Sequence, residues 1–204
     1  SISAGTEAAI AEQINRLGTN LIFIQANMPR GMPGAPQRGG LVYSDATAIS
    51  ERVAGGEGVV VEMGSTETVQ YENKTIKEVS ILGTTPDFPT VRDMSLQAGR
   101  FFSETDVTRK SKVVVLGSSL AQKLFSEESP LGKVVIIGNT KLSVIGVFDP
   151  KGVVGDVNYD ERLYVPITVV FQKFTPSQFA RFMGDRVRLI YVKISKEMDQ
   201  QEVI

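Results

Sequence analysis

The chain has no histidine and no cysteine in 204 residues. Without histidine there is no Ser-His-Asp or Cys-His nucleophile system, and the commonest transition-metal ligand is missing. Without cysteine there is neither a thiolate zinc site nor a disulfide. A cysteine-free composition suits an extracytoplasmic bacterial protein and a cytosolic one equally, so the compartment stays open at this level. No apolar run approaches the ~20 residues that a membrane-crossing helix needs. A basic excess is also lacking: 22 Lys and Arg stand against 23 Asp and Glu. Nothing in that balance draws a phosphate backbone, and no nucleic-acid partner is expected. The first residue is Ser1 rather than Met, as expected of a segment excised from a longer chain.

What is present is ordinary for a folded domain. Hydrophobic residues make up 42% and charged residues 22%, and a chain of this size buries roughly 70% of its unfolded surface. The stretch from Ala98 to Val135 is the most informative. Gly99-Arg100-Phe101-Phe102 ends one element, and Ser103 to Asp106 supplies short oxygen side chains that cap backbone N–H groups at a turn or helix start. Val113 to Leu116 is a continuous, β-branched apolar run, the pattern of a strand buried on both faces. Gly117-Ser118-Ser119 stops that strand, and Leu120, Ala121, Leu124 and Phe125 follow at helical spacing until Pro130-Leu131-Gly132 breaks the helix.

Elsewhere, Thr6 to Leu17 reads as an amphipathic helix closed by Gly18, and Leu21 to Ile24 as a short buried strand. Asn27 to Gly40 holds enough Pro and Gly to read as a loop without regular structure. Ser44-Asp45 caps a second helix whose inward face carries Ala48, Ile49 and Val53. A long β region from Val59 to Tyr71 turns at Glu72-Asn73-Lys74 and returns as Thr75 to Leu82, with imperfect alternation on the return strand. Pro86 to Met94 reads as a short helical turn, and Gly138-Asn139 as a tight hairpin turn between Val134–Ile137 and Leu142–Val147. Asp149 to Glu161 reads as a second irregular loop. Arg162 to Pro166 is a strand, Ile167 to Met183 helical pieces broken near Pro176, Val187 to Ile194 a final strand, and Lys196 onward the beginning of a helix.

Candidate chemistry is thin. Gly117-Ser118-Ser119 after a strand invites a nucleophile elbow, but the G-x-S-x-G spacing fails and a helix N-cap is the better account. Ser119 and Lys123 lie one helical turn apart, so a Ser-Lys hydrolase is an alternative reading. Asp156, Asn158 and Asp160 alternate like the first ligands of a calcium loop, yet Glu161 stands where that loop needs Gly. Gly132-Lys133 lacks the rest of a Walker sequence, so no cofactor is called for. A second alternative is a ligand-binding or sensory module, which needs a pocket with convergent polar groups. Phe101, Phe102, Phe171, Phe174, Phe179 and Phe182 read as core and lobe-lobe packing rather than as a recognition patch. Met28 and Met32 differ, because a Pro- and Gly-rich loop offers them little core and so marks them as partner anchors.

Several of these pieces occur together in one order: Leu17-Gly18-Thr19-Asn20-Leu21-Ile22, Gly83 through Pro86 to Phe88, Gly99-Arg100-Phe101-Phe102-Ser103, Val113 to Gly117, Leu124-Phe125, Pro130-Leu131-Gly132, Val144-Ile145-Gly146-Val147 and Val165-Pro166. That succession resembles the extracytoplasmic core domain of MacB-type ABC transporter permeases, over nearly the whole chain. The resemblance implies an α+β fold of two lobes. A membrane-proximal lobe of β-α-β units comes from both chain ends (1–85 and 175–204), and a mixed α/β lobe is inserted at 86–174. It implies a domain held between transmembrane helices of a dimeric permease, on the periplasmic or cell-surface side, with ATP hydrolysis in a separate nucleotide-binding domain. A periplasmic adaptor protein, or lipoprotein or peptide cargo, would be the partner. The helices at Thr6 to Leu17 and beyond Lys196 would then continue the transmembrane stalks. The two irregular loops supply the expected partner-contact residues: Met28, Arg30, Met32 and Arg38 in the first, and Val153, Val154, Asp156 and Tyr159 in the second.

Overall fold

A computed structural model describes residues 10–13, 21–26, 41–52, 56–175 and 187–194. The fold is α+β, and its organising element is one long strand. The elements run β1 (Ile10–Gln13), β2 (Leu21–Ala26), α1 (Tyr43–Arg52), β3 (Gly56–Tyr71), β4 (Lys74–Thr84), α2 (Phe88–Val91), β5 (Leu96–Gly99), α3 (Glu104–Arg109), β6 (Val113–Leu116) and α4 (Ser118–Phe125). They continue with β7 (Val134–Ile137), β8 (Thr140–Phe148), β9 (Val153–Val154), β10 (Val157–Asn158), β11 (Arg162–Pro166), the short helix α5 (Ile167–Val169) running into a π-helical turn (Val170–Phe174), and β12 (Leu189–Ile194).

At 16 residues, β3 extends over roughly 50 Å and belongs to two strand systems. Its first half pairs with β12, which pairs with β2 and through it with β1. Its second half pairs with β4 on one edge and, at Val69 and Gln70, with β7 on the other. From β4 the hydrogen bonds pass to β11, β6, β8 and β7, and so back to β3. Six strands thereby close a ring, and closure leaves those strands no open edge. β5 lies outside the ring, against the C-terminal half of β8.

Strand alternation divides the side chains between two cores. On β6, Val114 and Leu116 enter an aliphatic core inside the ring while Val115 points to the other side. On β11, Leu163 and Val165 go inward and Tyr164 outward; on β4, Ile81 goes inward and Leu82 outward. The helix α4 adds Leu120, Leu124 and Phe125 to the aliphatic core. The outer core carries an aromatic cluster: the Phe88 ring lies 5.2 Å from Tyr164 and 6.4 Å from Phe148, and Phe101 stacks on Phe102 at 4.0 Å. Strands with a core on both faces carry apolar residues without interruption, which is why Val113 to Leu116 reads as it does.

Most of the expected elements form where the sequence places them. The hairpin at Glu72-Asn73-Lys74 and the one at Gly138-Asn139 are both present. The imperfect alternation on β4 has a local cause. Register shifts between Glu67 and Val69, and Glu78 takes a positive φ of 54°. That bulge lets Val79 and Ile81 share the aliphatic core with Ile76. Two expectations are corrected. Ile10–Gln13, within the expected Thr6–Leu17 helix, is a strand antiparallel to β2, from Ile10↔Ala26 to Gln13↔Phe23. Pairing satisfies the backbone groups that β2 would otherwise leave open on that edge, and this outweighs a weak helical periodicity. Asp149 to Glu161 is also more regular than expected, holding β9, β10 and a 3-10 turn. The Pro- and Gly-rich segment 27–40, the residues after 175 in the expected helical stretch, and the helix expected from Lys196 lie outside the described residues.

The capping role read into Ser103 to Asp106 is fulfilled reciprocally. The Asp106 N–H donates to Ser103 Oγ (3.3 Å) and the Ser103 N–H to Asp106 Oδ2 (2.9 Å), while Arg100 adds a 2.8 Å ion pair. Burial opposes ionisation of Asp106, but the donors from Arg100, Ser103 and Ser111 outweigh it and hold its pKa at about 2. Because the folded value lies below the unfolded 3.8, the stabilisation is present above pH ~4 and is lost as pH falls towards 2. We expect Asp106→Asn to flatten this acid limb and to remove about 1–2 kcal/mol at neutral pH. Urea unfolding at pH 7, 4 and 2.5 measures both effects, and an unchanged slope would exclude Asp106 as their source.

Candidate docking site

The most exposed large apolar side chains among the described residues sit at one place. Val153 is 66% and Val154 50% exposed. They form β9, paired antiparallel with β10 (Val157↔Val154, Asn158↔Val153) around a turn at Gly155 (φ 62°) and the exposed Asp156. Neighbouring residues of a strand point to opposite faces. Both valines are nevertheless in solvent, so the hairpin stands off the body.

Its root is rigid. The Asp160 carboxylate accepts from the N–H groups of Lys151 (2.7 Å) and Gly152 (2.9 Å), and Asn158 Oδ1 accepts from the Asp160 N–H (3.1 Å). The Tyr159 N–H donates to the Gly152 carbonyl at 3.1 Å, closing the hairpin. Tyr159 itself is buried, and its carbonyl accepts from the Tyr164 hydroxyl at 2.9 Å. Burial pushes the Tyr164 phenol well above its ordinary range, so it stays protonated and donates. The oxygens that resemble calcium ligands in sequence are thus partly committed to backbone N–H groups. Among the described residues no group of three acidic side chains is placed to hold a metal ion.

Of the residues expected at a partner surface, Val153, Val154 and Asp156 are brought together on the exposed hairpin, and Tyr159 is its buried anchor. Met28, Arg30, Met32 and Arg38 lie outside the described residues. Of the Ser119–Lys123 pair, the Lys123 ammonium is paired with Glu161 Oε1 at 2.7 Å on the surface. The glycine of that motif has a packing role. A Cβ on Gly117 would come within 2.5 Å of the Asp160 carbonyl oxygen and 2.7 Å of that of Tyr159. The Gly117 N–H also donates to the Arg162 carbonyl at 2.9 Å. The glycine therefore lets the hairpin root lie directly against the start of α4. A half-open cavity of about 260 Å³, lined by Tyr43, Lys110, Thr168, Phe171 and Gln172, lies elsewhere. The Thr168 hydroxyl is already donated to the Val107 carbonyl at 2.7 Å.

Sequence reasoning missed the Arg92–Glu62–Tyr191 cluster. Arg92 Nε donates to the Tyr191 hydroxyl (3.0 Å), which donates to Glu62 Oε1 (2.8 Å), and the guanidinium lies 4.3 Å from the Tyr191 ring centroid and 5.5 Å from that of Phe23. Burial and the neighbouring Glu62 carboxylate push the Tyr191 phenol well up. A polar residue at an inward position of β3 is the only sequence trace of it, because its three members are far apart in the chain.

The arrangement is that of extracytoplasmic domains of ABC-type transporters. The crystal structure of the periplasmic region of MacB from Actinobacillus actinomycetemcomitans superposes with a TM-score of 0.72 at 28% identity, over 91% of this chain and 79% of that one. The extracellular domain of the transporter YknZ from Gram-positive bacteria shares the fold (TM-score 0.68, 21% identity, 87% of this chain and 85% of that one). The family model of the MacB-like periplasmic core domain matches residues 1–204, and the chain belongs to that family. The macrolide export ATP-binding/permease protein MacB of Marinobacter nauticus is 34% identical over the whole chain, and that of Bdellovibrio bacteriovorus 30% identical over 85% of it. The chain spans only 31% of the length of the first and 27% of that of the second. It is the extracytoplasmic domain of a MacB-like ABC transporter permease, the part of a membrane protein that lies outside the inner membrane.

Proposed function

We propose that this domain is a non-catalytic docking and force-transmitting element of an export permease, and that the β9–β10 hairpin is one of its contact sites. The exposed Val153–Val154 pair on a rigid, backbone-capped root is the observation that carries this reading. Exposed apolar side chains on a preorganised support bind a partner with little ordering entropy to offset. The partner is a periplasmic adaptor protein, or a lipoprotein or peptide cargo, and Met28, Arg30, Met32 and Arg38 extend the contact surface. ATP hydrolysis belongs to the nucleotide-binding part of the intact transporter, which works as a dimer.

In this reading residues 1–85 and 175–204 form the membrane-proximal lobe and 86–174 the inserted lobe, with β3 running through the cores of both. The register Leu21↔Lys193 supports it, since the chain entering β2 and the chain leaving β12 run side by side at one end of the sheet. Movement of transmembrane helices attached there would reach the hairpin through packed strands.

The test uses full-length permease in detergent and the adaptor protein that co-purifies with it. Val153→Asp with Val154→Asp is expected to weaken capture of the adaptor at least ~10-fold, about 1.4 kcal/mol, while the melting temperature moves by less than about 2 °C, since both side chains are solvent-exposed. Met28→Ser with Met32→Ser is expected to weaken it further. Undiminished capture by all four substitutions together would overturn the docking assignment.

A further inference from the structure

The turn after α2 joins two parts of the molecule that the sequence keeps far apart. Arg92 caps the end of α2, and Asp93 follows in the left-handed conformation (φ 52°). On one side this corner is tied to β12. Arg92 holds the Tyr191 hydroxyl, and through it Glu62 on β3, and Asp93 Oδ1 lies 3.5 Å from Lys193 Nζ. On the other side it is tied to the exposed hairpin. Lys151 Nζ donates to the Asp93 carbonyl (3.3 Å), and the Asp149 N–H donates to the Ser95 carbonyl (2.8 Å). Lys151 is the residue whose own N–H is capped by Asp160 at the hairpin root.

The two sides differ in strength. The Arg92–Tyr191–Glu62 contacts are mostly buried, with Arg92 and Glu62 side chains 20% and 12% exposed and Tyr191 fully covered. A charge-assisted hydrogen bond in that setting is about twice as strong as a neutral one. The Lys193–Asp93 pair is exposed on the Asp93 side (61%) and adds little by itself. The buried side therefore fixes the corner, and the corner positions Lys151.

We propose that the Arg92–Asp93 corner is a relay that couples strand β12 to the β9–β10 hairpin, so that displacing β12 changes the stability and position of the hairpin, and holding the hairpin changes that of β12. Coupling of this kind is reciprocal by linkage. Its use in transport rests on the docking reading above; the relay itself does not, and it is tested without any partner.

Amide hydrogen exchange on the chain, read by NMR, gives the local opening of each segment. Arg92→Met is expected to raise exchange at the Tyr159 and Val154 amides about tenfold, with less than twofold change at Val114 and Val144 in the ring. Tyr191→Phe, which keeps the ring and removes the hydroxyl, is expected to act in the same direction, and it carries the comparison should Arg92→Met fail to fold. In a Lys151→Met background either substitution is expected to add less than threefold at the hairpin. Equal loosening of hairpin and ring would show that the cluster only stabilises the whole fold and would overturn the relay. An increment that persists undiminished without Lys151 would also overturn it. Loss of adaptor capture in Val153→Asp with Val154→Asp bears on the docking reading alone, so the two claims fail separately.

Discussion

Gly99→Ala is expected to destabilise the domain by about 3 kcal/mol or more. Two independent terms add. Gly99 has φ 72°, a region where a side chain costs about 1 kcal/mol or more. A Cβ there would also overlap the Ile145 carbonyl oxygen and lie 2.8 Å from Leu131 Cδ2 and 2.9 Å from the Gly146 Cα. The Ile145 and Gly146 atoms belong to β8, the strand that β5 pairs with at Gly99↔Gly146, and Leu131 lies in the turn before β7. Gly146 has the matching constraint, since its own Cβ would overlap the Arg100 carbonyl oxygen. Two glycines far apart in the chain thus allow one close crossing. Denaturant unfolding of Gly99→Ala, Gly146→Ala and the double variant measures the effect. Because the two positions touch, the double variant is expected to lose less than the sum. A loss below about 1 kcal/mol in Gly99→Ala would mean that β5 moves away from β8 at little cost, and that the crossing does not hold it.

Phe88→Ala is expected to cost about 3–5 kcal/mol. Phe88 is fully buried and its ring meets Phe101, Phe148 and Tyr164 with centroids 5.2–6.4 Å apart. These rings come from α2, the segment after β5, β8 and β11, so no single neighbour can collapse into the space. The loss is a large share of the ~5–15 kcal/mol that separates folded from unfolded states in a typical domain. Phe88→Leu refills most of the volume and is expected to lose about 1–2 kcal/mol. The midpoint of chemical unfolding for the two variants checks the ordering, and equal losses would show that ring contacts, rather than filled volume, dominate.

The elements legible in the sequence were those set by local chemistry. The Ser103–Asp106 cap, the turns at Asn73 and Gly138, the buried run Val113–Leu116 and the helix from Ser118 each depend on residues within a few positions of one another, and each forms where its pattern lies. Absences were equally legible, because a missing residue type removes a chemistry whatever the fold. The ordered glycine, proline and aromatic pieces that carry the family resemblance were visible as a succession, yet their purpose was not: Gly99 and Gly146 meet only across β5 and β8. Tertiary pairing overrode local periodicity at Ile10–Gln13, where the open edge of β2 takes a strand partner in place of a helical turn.

Composition and local pattern by themselves determined that this is a globular chain of mixed strands and helices with no histidine or cysteine chemistry, and where most of those elements lie; the expectation of an α+β, two-lobe arrangement came from the family resemblance. Only the tertiary structure decided that β3 passes between two cores, that Val153 and Val154 stand in solvent while Tyr159 beneath them is buried, and that Arg92 reaches Tyr191 and Glu62. The physical reason is range. Capping, turn geometry and side-chain alternation act over a few residues. Close backbone crossings, ring closure of a sheet and buried ion clusters need partners that are brought together only when the chain folds.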